Sequence, residues 1–191
     1  MKRHGLRISS FLLAVSLLAA HALAADGGTG LHATILARVL SYELSLEERA
    51  GNDVGIAVVY KPGDAVSEAS ATAWIQALEE LASEVQIKNR RVVAVRVPND
   101  PDQLSRALDK YGIDVVLAAE GLGADARQVA NFTRAHHLLS VGSTVAYIEA
   151  DLTLCVQQEA DRPRIFVNLN NANLESVRFS SNILKLAKLI R

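Results

Sequence analysis

The sequence predicts an α/β fold, in which an open and mostly parallel sheet of about six strands is flanked by helices and followed by a C-terminal helix. Half of the 191 residues are hydrophobic, and a chain of this length can bury a core of ordinary size. Short apolar runs rich in β-branched residues alternate with longer segments whose apolar residues recur every three or four positions. That alternation, with short turns between the segments, is typical of a Rossmann-like sheet with helical crossovers.

The first four strands are predicted from near-continuous apolar runs, which are typical of strands buried on both faces. These runs cover 54–60, 92–97, 113–119 and 137–141. Helical spacing predicts the segments before and between them, which cover 31–44, 67–85, the stretch from Asn99 or Asp100 to Tyr111, and 125–136. The first helix either covers the sheet or pairs with a second copy of the chain.

Two more strands are predicted over 152–157 and 164–169. The turn between them is short, so we expect them to pair as an antiparallel hairpin at an edge of the sheet. The segment 180–191 predicts a final helix with Ser180 or Ser181 at its N-cap. The spacing of its apolar residues predicts a buried stripe formed by Ile183, Leu184, Ala187 and Ile190.

The first residues have the pattern of a secretory signal peptide. Three basic residues, Lys2, Arg3 and Arg7, precede a ten-residue apolar stretch over 11–20. Small residues then lead to an expected cleavage site after Ala24, which places the mature protein in the periplasm. The alternative is a membrane anchor, but a spanning helix needs about 20 apolar residues. No repeat or linker interrupts the rest of the chain, so we expect a single domain over 31–191.

The charge and cysteine content exclude several classes of function. The chain has 20 Lys and Arg residues and 21 Asp and Glu residues, and three of the basic residues precede the expected cleavage site. The mature chain therefore carries a net charge of about −4, which does not suit binding to nucleic acid or to an anionic membrane. A single cysteine forms neither an internal disulfide nor a cysteine-based zinc site.

No constellation of residues predicts catalysis, a cofactor or a metal. Gly121 and Gly123 follow a strand, but the third glycine of a dinucleotide fingerprint is missing, so a plain turn is favoured. His136 and His137 are adjacent and point apart on either a helix or a strand. Cys155 lies in an apolar strand pattern, which is typical of a buried and unreactive thiol.

The predicted fold does provide a crevice at the carboxyl ends of the parallel strands, where ligands bind in open α/β sheets. Five polar residues follow the predicted strands at this edge and are the candidate contacts for a ligand or partner. They are Asn99, Asp100, Glu120, Ser143 and Thr144. The same residue types are also typical of ordinary turns between a strand and a helix, and that interpretation stays open.

The C-terminal part of the chain carries the most specific pattern. The stretch RIFVNLNNA over 164–172 and the stretch VRFSSNILKLA over 177–187 resemble the closing signature of the YfiR family. The N-terminal helix and the strands within 56–60 and 115–118 agree with that resemblance, which extends over 31–191. It implies a small periplasmic α/β protein without enzymatic activity.

The resemblance also implies a partner. The best-known member of the family represses an inner-membrane diguanylate cyclase by binding its periplasmic sensor domain, and release of that repression favours biofilm formation. Two differences stand out in this sequence: Cys155 is its only cysteine, whereas many relatives form disulfides, and Glu149-Ala150-Asp151 stands where many relatives have a Gly-Gly pair. We therefore expect a signalling repressor, and we expect it to be a homodimer.

Two other classes of function are alternatives. A periplasmic small-ligand-binding module linked to a transporter would share the β-α-β pattern, although such proteins normally pair two lobes and this chain is long enough for one. A hydrolase or transferase is disfavoured because no nucleophile lies beside a base in any recognisable motif.

Overall fold

A seven-stranded sheet with helices on both faces organises the chain. The computed structural model describes residues 28–160 and 162–190, so the predicted signal peptide over 1–24 lies outside the described residues. The strands are β1 (Asp53–Tyr60), β2 (Arg91–Pro98), β3 (Ile113–Ala118), β4 (Leu139–Gly142), β5 (Leu154–Glu159), β6 (Arg162–Asn168) and β7 (Lys188–Ile190). The helices are α1 (28–41), α2 (Leu46–Arg49), α3 (Ala65–Glu84), α4 (Pro101–Tyr111), α5 (Ala126–His136), α6 (Ala146–Glu149), α7 (Leu169–Leu174) and α8 (Ser181–Leu186), with a 3-10 turn at Gly123–Asp125.

The strands lie in the order β2-β1-β3-β4-β5-β6-β7. The first five in the chain run parallel to one another, β6 is antiparallel to β5, and β7 is parallel to β6. The chain moves from β1 to β2 in one direction and then crosses back to β3 on the other side of β1. The strand order therefore reverses between β1 and β3, which in this class of fold is the place where ligands bind.

Two hydrophobic clusters form on opposite faces of the sheet. On one face, α1 and α3 pack Leu36 and Trp74 into a cluster with Ile56 of β1. On the other face, α4 and α5 contribute Leu104 and Val129 to a second cluster. The strands between them are buried on both sides, which explains their near-continuous apolar sequences. The predicted mostly parallel α/β sheet is confirmed.

Helix α1 covers the sheet within a single chain. Leu36 and Leu40 on its inner side are fully buried. The segment after α1 is fixed to the C-terminal part of the chain by an antiparallel bridge between Glu43 and Phe179. The inner side of α1 therefore covers the sheet, which is one of the two alternatives that the sequence left open. Leu31, at the start of α1, remains about half exposed.

The C-terminal segment differs from its prediction. The expected helix over 180–191 ends after six residues at Leu186, and Ala187 adopts an extended conformation. The chain then forms β7, in which Lys188 lies opposite Phe166 of β6. Without β7, the backbone N–H and C=O groups on that side of β6 would have no hydrogen-bond partner. Pairing with them favours a strand here, although the spacing of the apolar residues favours a helix. Within the predicted stripe, only Ile183 is fully buried.

The hairpin and the strand number also need correction. β5 and β6 pair antiparallel as predicted, but neither is at an edge because β4 flanks β5 and β7 flanks β6. The sheet has seven strands rather than about six, since a three-residue strand such as β7 has almost no sequence signal. Ser180 occupies the N-cap position of α8, although its hydroxyl makes no capping hydrogen bond.

Candidate functional site

The five polar residues singled out in the sequence all follow strands at the same edge of the sheet. Asp100 accepts a hydrogen bond from the backbone N–H of Gln103 at 2.9 Å and caps α4. Asn99 donates its backbone N–H to the carbonyl of Tyr60 at 2.7 Å, which ties the end of β2 to the end of β1. Both residues therefore have a structural role at the end of β2, whatever else they contact.

The remaining three residues follow β3 and β4. The Glu120 side chain is exposed, and its backbone N–H is bound by the hydroxyl of Ser70 at 3.0 Å. Ser143 donates its backbone N–H to the carbonyl of Ala118, which joins the ends of β4 and β3. Thr144 accepts from the backbone N–H of Ala146 at 3.4 Å. Although all five side chains belong to described residues, no hydrogen bond links any two of them.

The protein's own loops fill the place where the strand order reverses. The side chain of Asp64 caps α3 by accepting from the backbone N–H of Ser67 at 2.9 Å. Gly121, in the loop after β3, packs directly on this first turn, because a Cβ atom there would lie 2.8 Å from the Ser67 nitrogen. A phosphate bound at the N-terminus of α3 would need the space that the Asp64 carboxylate and Gly121 occupy. The prediction of a plain turn at Gly121 agrees with this geometry.

Tyr147 holds the same loop from the other side. Its hydroxyl accepts from the backbone N–H of Leu122 at 2.9 Å and donates to the carbonyl of Ala119 at 3.1 Å. Burial raises the pKa of this phenol above its ordinary value, so it remains a neutral donor at pH 7. An ion pair between Lys61 and Asp125, with 2.9 Å between nitrogen and oxygen, joins the loops after β1 and β3 at the surface. The edge is therefore a surface of interlocked loops.

A buried carboxylate lies elsewhere, on the α5 side of β4 and β5. We refer to Glu175, Asn171, Thr133, Ser140 and Thr153 as the Glu175 hub. Glu175 is completely buried, and four groups donate to its two oxygens. The Thr133 hydroxyl and the Asn171 amide lie 2.5 and 3.0 Å from Oε1, while the Thr153 hydroxyl and the Ser140 backbone N–H lie 2.5 and 3.0 Å from Oε2. The hub thereby joins α5, β4 and the residue before β5 to α7 and the residue that follows it.

Two opposing effects act on the Glu175 carboxyl group. Burial raises its pKa above the ordinary value, and the hydrogen bonds from Ser140, Thr133 and Thr153 act in the opposite direction. A buried carboxylate without such donors would be strongly destabilising. The arrangement therefore fits a structural group that fixes the C-terminal part of the fold.

A surface groove borders the hub. The Arg134 guanidinium donates from Nε to Asn171 Oδ1 at 2.5 Å, and its Nη2 lies 3.4 Å from Asp151 Oδ2. The groove has a volume of about 480 Å³, and its lining includes Arg134, Ile148, Asp151, Asn168, Leu174 and Ile190. Because Arg134 is already hydrogen-bonded to an amide and close to a carboxylate, it is a positioned cation rather than a free one.

The Glu175 hub has almost no direct signal in the amino-acid sequence. Glu175 follows an Asn-rich stretch that suggests an exposed turn, and glutamate is seldom fully buried. Its donors are distant in the chain, and Thr133 lies 42 positions before it. The only available signal was the four-residue spacing between Asn171 and Glu175, which places both on one side of a helical turn.

The remaining candidate groups from the sequence do not form a reactive or metal-binding site in the described residues. Cys155 is fully buried in β5 as predicted, and burial raises the pKa of its thiol to about 12. Within 28–160 and 162–190, no three His, Cys, Asp or Glu side chains cluster closely enough to hold a metal ion. The helices in the same residues include none that is both long and apolar enough to cross a membrane.

Among the solved structures with a similar fold are three from different bacteria. The first is a conserved domain protein from Vibrio cholerae, with a TM-score of 0.59, 13% identity, and coverage of 85% of this chain and 60% of that one. The second is an ABC domain in complex with L-Trp from Streptococcus pneumonia, with a TM-score of 0.54, 13% identity, and coverage of 80% and 60%. The third is a substrate-binding protein with adhesive properties from Clostridium difficile, with a TM-score of 0.52, 13% identity, and coverage of 77% and 57%. The chain thus spans about three fifths of each structure, and at this identity the likeness concerns the fold alone.

The family comparison is more specific. No curated protein matches the chain, but the sequence profile of a family described as YfiR/HmsC-like matches residues 30–188. The resemblance found in the C-terminal signature is therefore confirmed over nearly the whole described chain. The protein belongs to the YfiR/HmsC-like family.

Proposed function

We propose that the protein represses an inner-membrane diguanylate cyclase by binding its periplasmic sensor domain. The observation that carries this proposal is the family match over residues 30–188. In this proposal the protein lowers cyclic di-GMP and restrains biofilm formation, and a signal that separates the two proteins relieves the repression. Export requires the N-terminal signal peptide expected over 1–24.

The geometry of the strand ends supports a role in protein contact. Loops joined by Tyr147 and by the Lys61–Asp125 ion pair present a preformed surface. A partner that docks on a preformed surface avoids much of the entropic cost of ordering loops. The five strand-end residues, Asn99, Asp100, Glu120, Ser143 and Thr144, are the part of this surface that we propose as the contact.

Deletion of the gene in its own host tests the function. We expect cyclic di-GMP and biofilm mass to rise, and we expect a second deletion of the partner cyclase to reverse both effects. Affinity capture of the tagged mature chain, residues 25–191, from solubilised membranes should recover that cyclase. Unchanged cyclic di-GMP in the single deletion would contradict the proposed function.

The strand-end contact has its own test. A variant combining Asn99→Ala, Glu120→Ala, Ser143→Ala and Thr144→Ala with Asp100→Ser retains a side-chain cap for α4. We expect it to fold and to recover less of the cyclase. A matched control carries Glu79→Ala and Glu80→Ala on the exposed side of α3. Equal recovery by both variants would exclude the strand ends as the contact.

We also propose a homodimer, because Leu31, Tyr42 and Leu44 leave substantial apolar surface near the two ends of α1. Sedimentation velocity of the mature chain should show a dimer that Tyr42→Glu and Leu44→Glu convert to a monomer. A wild-type monomer at high concentration would contradict this part of the proposal.

A small-ligand-binding module is the second candidate function. Its support is the fold likeness to the substrate-binding protein and to the domain with bound L-Trp, which at 13% identity does not extend to a ligand. Recovery of transporter subunits in place of a cyclase would favour this candidate. A thermal-shift screen of small periplasmic solutes would then identify the ligand.

A further inference from the structure

Strand β2 forms a long free edge of the sheet. Among the described residues, β2 pairs only with β1, and the edge at the other end is the three-residue strand β7. β2 has eight residues, and Val93, Ala94 and Val95 in its middle are only partly buried. Long free edges are templates for an additional strand, and natural proteins usually cover or shorten them.

The backbone N–H and C=O groups of successive residues in a strand point alternately to its two sides, which identifies the groups that face outward at this edge. The backbone N–H of Asn99 is bound to Tyr60 of β1, so every second residue before it also faces β1. The N–H and C=O groups of Val92, Ala94 and Arg96 therefore point away from the sheet. Pro98 shares that outward position, where its missing N–H costs no bond to β1.

Two grooves flank the free edge, one on each face of the sheet. The groove on the α4 side has a volume of about 390 Å³ and includes Val95, Val97 and Ala107. The groove on the α3 side has a volume of about 480 Å³ and includes Ala69 and Ala73. Successive side chains of an added strand would point alternately into these two grooves.

The α4-side groove is positively charged. Arg96, Arg106 and Lys110 line it together with uncharged residues, and its lining contains no acidic side chain. All three cations are exposed, and none has an ion-pair partner within the described part of the chain. Arg96 lies over the ring of Tyr60, 3.9 Å from its centroid, which holds the guanidinium beside the edge. Acidic side chains of a partner would complement this groove.

The α3-side groove has a different chemistry. Its lining is dominated by small residues, and it includes Glu68 and also Arg96, which lines both grooves. These two opposite charges leave the α3-side groove without the positive charge of the α4-side groove, so a carboxylate is favoured less here, whereas an apolar side chain would pack on Ala69 and Ala73. The two grooves together therefore select a strand in which acidic and apolar residues alternate.

We propose that β2 is a docking edge for an extended segment of another protein, in which acidic residues facing α4 alternate with apolar residues facing α3. This inference goes beyond the proposed function, because it assigns a surface and the chemistry of its occupant without depending on which membrane protein is the partner. A second copy of the chain is disfavoured as the occupant. Pairing two β2 edges would bring Arg96, Arg106 and Lys110 of both copies onto one shared edge.

Fluorescence anisotropy with designed peptides tests the docking edge. The probe is a fluorescein-labelled peptide of eight residues that alternates valine and glutamate, and the comparison peptide alternates valine and lysine. We expect the mature chain to bind the acidic peptide at least about tenfold more tightly than the basic one. We also expect added salt to weaken that binding.

Two sets of variants test separately what the backbone N–H groups and what the side-chain charges contribute to peptide binding. Ala94→Pro removes an outward N–H, and we expect it to weaken binding of the acidic peptide at least about tenfold, whereas Ala94→Thr retains the N–H and should bind normally. Arg106→Gln combined with Lys110→Gln should cause a similar loss, and Arg38→Gln on α1 combined with Lys185→Gln on α8 is the charge-matched control. Because Arg106 and Lys110 are exposed, that double variant tests the proposal even if Ala94→Pro fails to fold.

Several results would overturn the proposal. These are absence of binding of the acidic peptide, equal binding of both peptides, and unchanged binding in folded Ala94→Pro. A wild-type dimer that Ala94→Pro converts to a monomer would show that a second copy occupies the edge instead. If the acidic peptide does not bind while the mature chain still captures the cyclase, the docking edge is refuted and the proposed function remains intact.

Discussion

The hydroxyl of Thr153 lies 2.5 Å from the carboxylate of Glu175, in a part of the protein from which water is excluded. Thr153 precedes β5, and Glu175 follows α7, between the two stretches of the C-terminal signature. The contact therefore fixes the signature segment to the parallel part of the sheet. Asn171 of the signature also belongs to the hub, while Phe179 and Ile183 enter the core around α1 and α3. These signature residues thus build the interior of the protein.

The hub predicts a marked stability loss on Glu175→Gln. In glutamine an NH2 group, which cannot accept hydrogen bonds, replaces one of the two carboxylate oxygens. The two donors that face it, either Thr133 and Asn171 or Thr153 and the Ser140 N–H, then lose their acceptor. We expect a loss of about 1–3 kcal/mol in the free energy of unfolding, measured by urea denaturation. Glu79→Gln on the exposed side of α3 is the control and should change the stability by less than about 0.5 kcal/mol. Equal stability of the two variants would show that the carboxylate is dispensable.

Asp114 predicts a pH dependence of stability. Burial raises the pKa of its carboxyl group from 3.8 to about 6, although the hydrogen bond from the backbone N–H of Gly55, at 3.0 Å, lowers it. Between about pH 4 and pH 6 the unfolded chain loses this proton while the folded protein retains it, so stability falls as the pH rises. This contribution amounts to at most about 3 kcal/mol.

Asp114→Asn isolates that contribution. The asparagine still accepts the bond from Gly55 but does not titrate, and all other carboxyl groups are common to both proteins. Urea unfolding at a series of pH values should therefore show wild type losing more stability than the variant between about pH 4 and pH 6. Parallel curves would mean that Asp114 has the same pKa in the folded and unfolded chains.

Much of the fold could be predicted because buried parallel strands have a strong local signal. The predicted runs at β1 and β3 contain Asp114 as their only charged residue and end at turn residues, so their predicted bounds nearly coincide with the observed ones. The edge strand β7 could not be predicted in the same way. Its three residues continue the helical spacing of apolar residues that begins at Ile183 and Leu184. Their strand conformation depends instead on pairing with the backbone of β6, which is distant in sequence.

The candidate site was only partly predictable. The sequence placed Asn99, Glu120 and Ser143 at one edge of the sheet, since parallel strands end on the same side. It did not show that the space between the loops is filled. That outcome depends on the positive φ of Gly121, 87°, and on the capping carboxylate of Asp64, which are tertiary features. The free charges along β2 belong to separate elements and likewise converge only in the folded chain.

We expect a large loss of stability when a single methyl group is added at Gly121. Its φ of 87° disfavours any other residue, and a Cβ atom would lie 2.8 Å from the Ser67 nitrogen. Gly63→Ala is the matched control, because Gly63 has a similar φ of 78° but open space around its Cβ position. We expect Gly63→Ala to cost about 1–2 kcal/mol and Gly121→Ala to cost about 1–3 kcal/mol more. Equal costs would show that the loop after β3 moves away freely from α3.

We expect alanine substitutions at two neighbouring residues of the C-terminal helix α8 to cause different losses of stability. Ile183 is buried in the cluster with α1 and α3, whereas Leu184, which the sequence also placed in the buried stripe, is only partly buried. Ile183→Ala should therefore cost about 2–5 kcal/mol, since it leaves a cavity that the surrounding strands cannot close. Leu184→Ala should cost about 1 kcal/mol. Urea unfolding of both variants measures the difference. A larger loss of stability for Leu184→Ala would contradict the short helix followed by β7, and it would favour the continuous helix expected over 180–191.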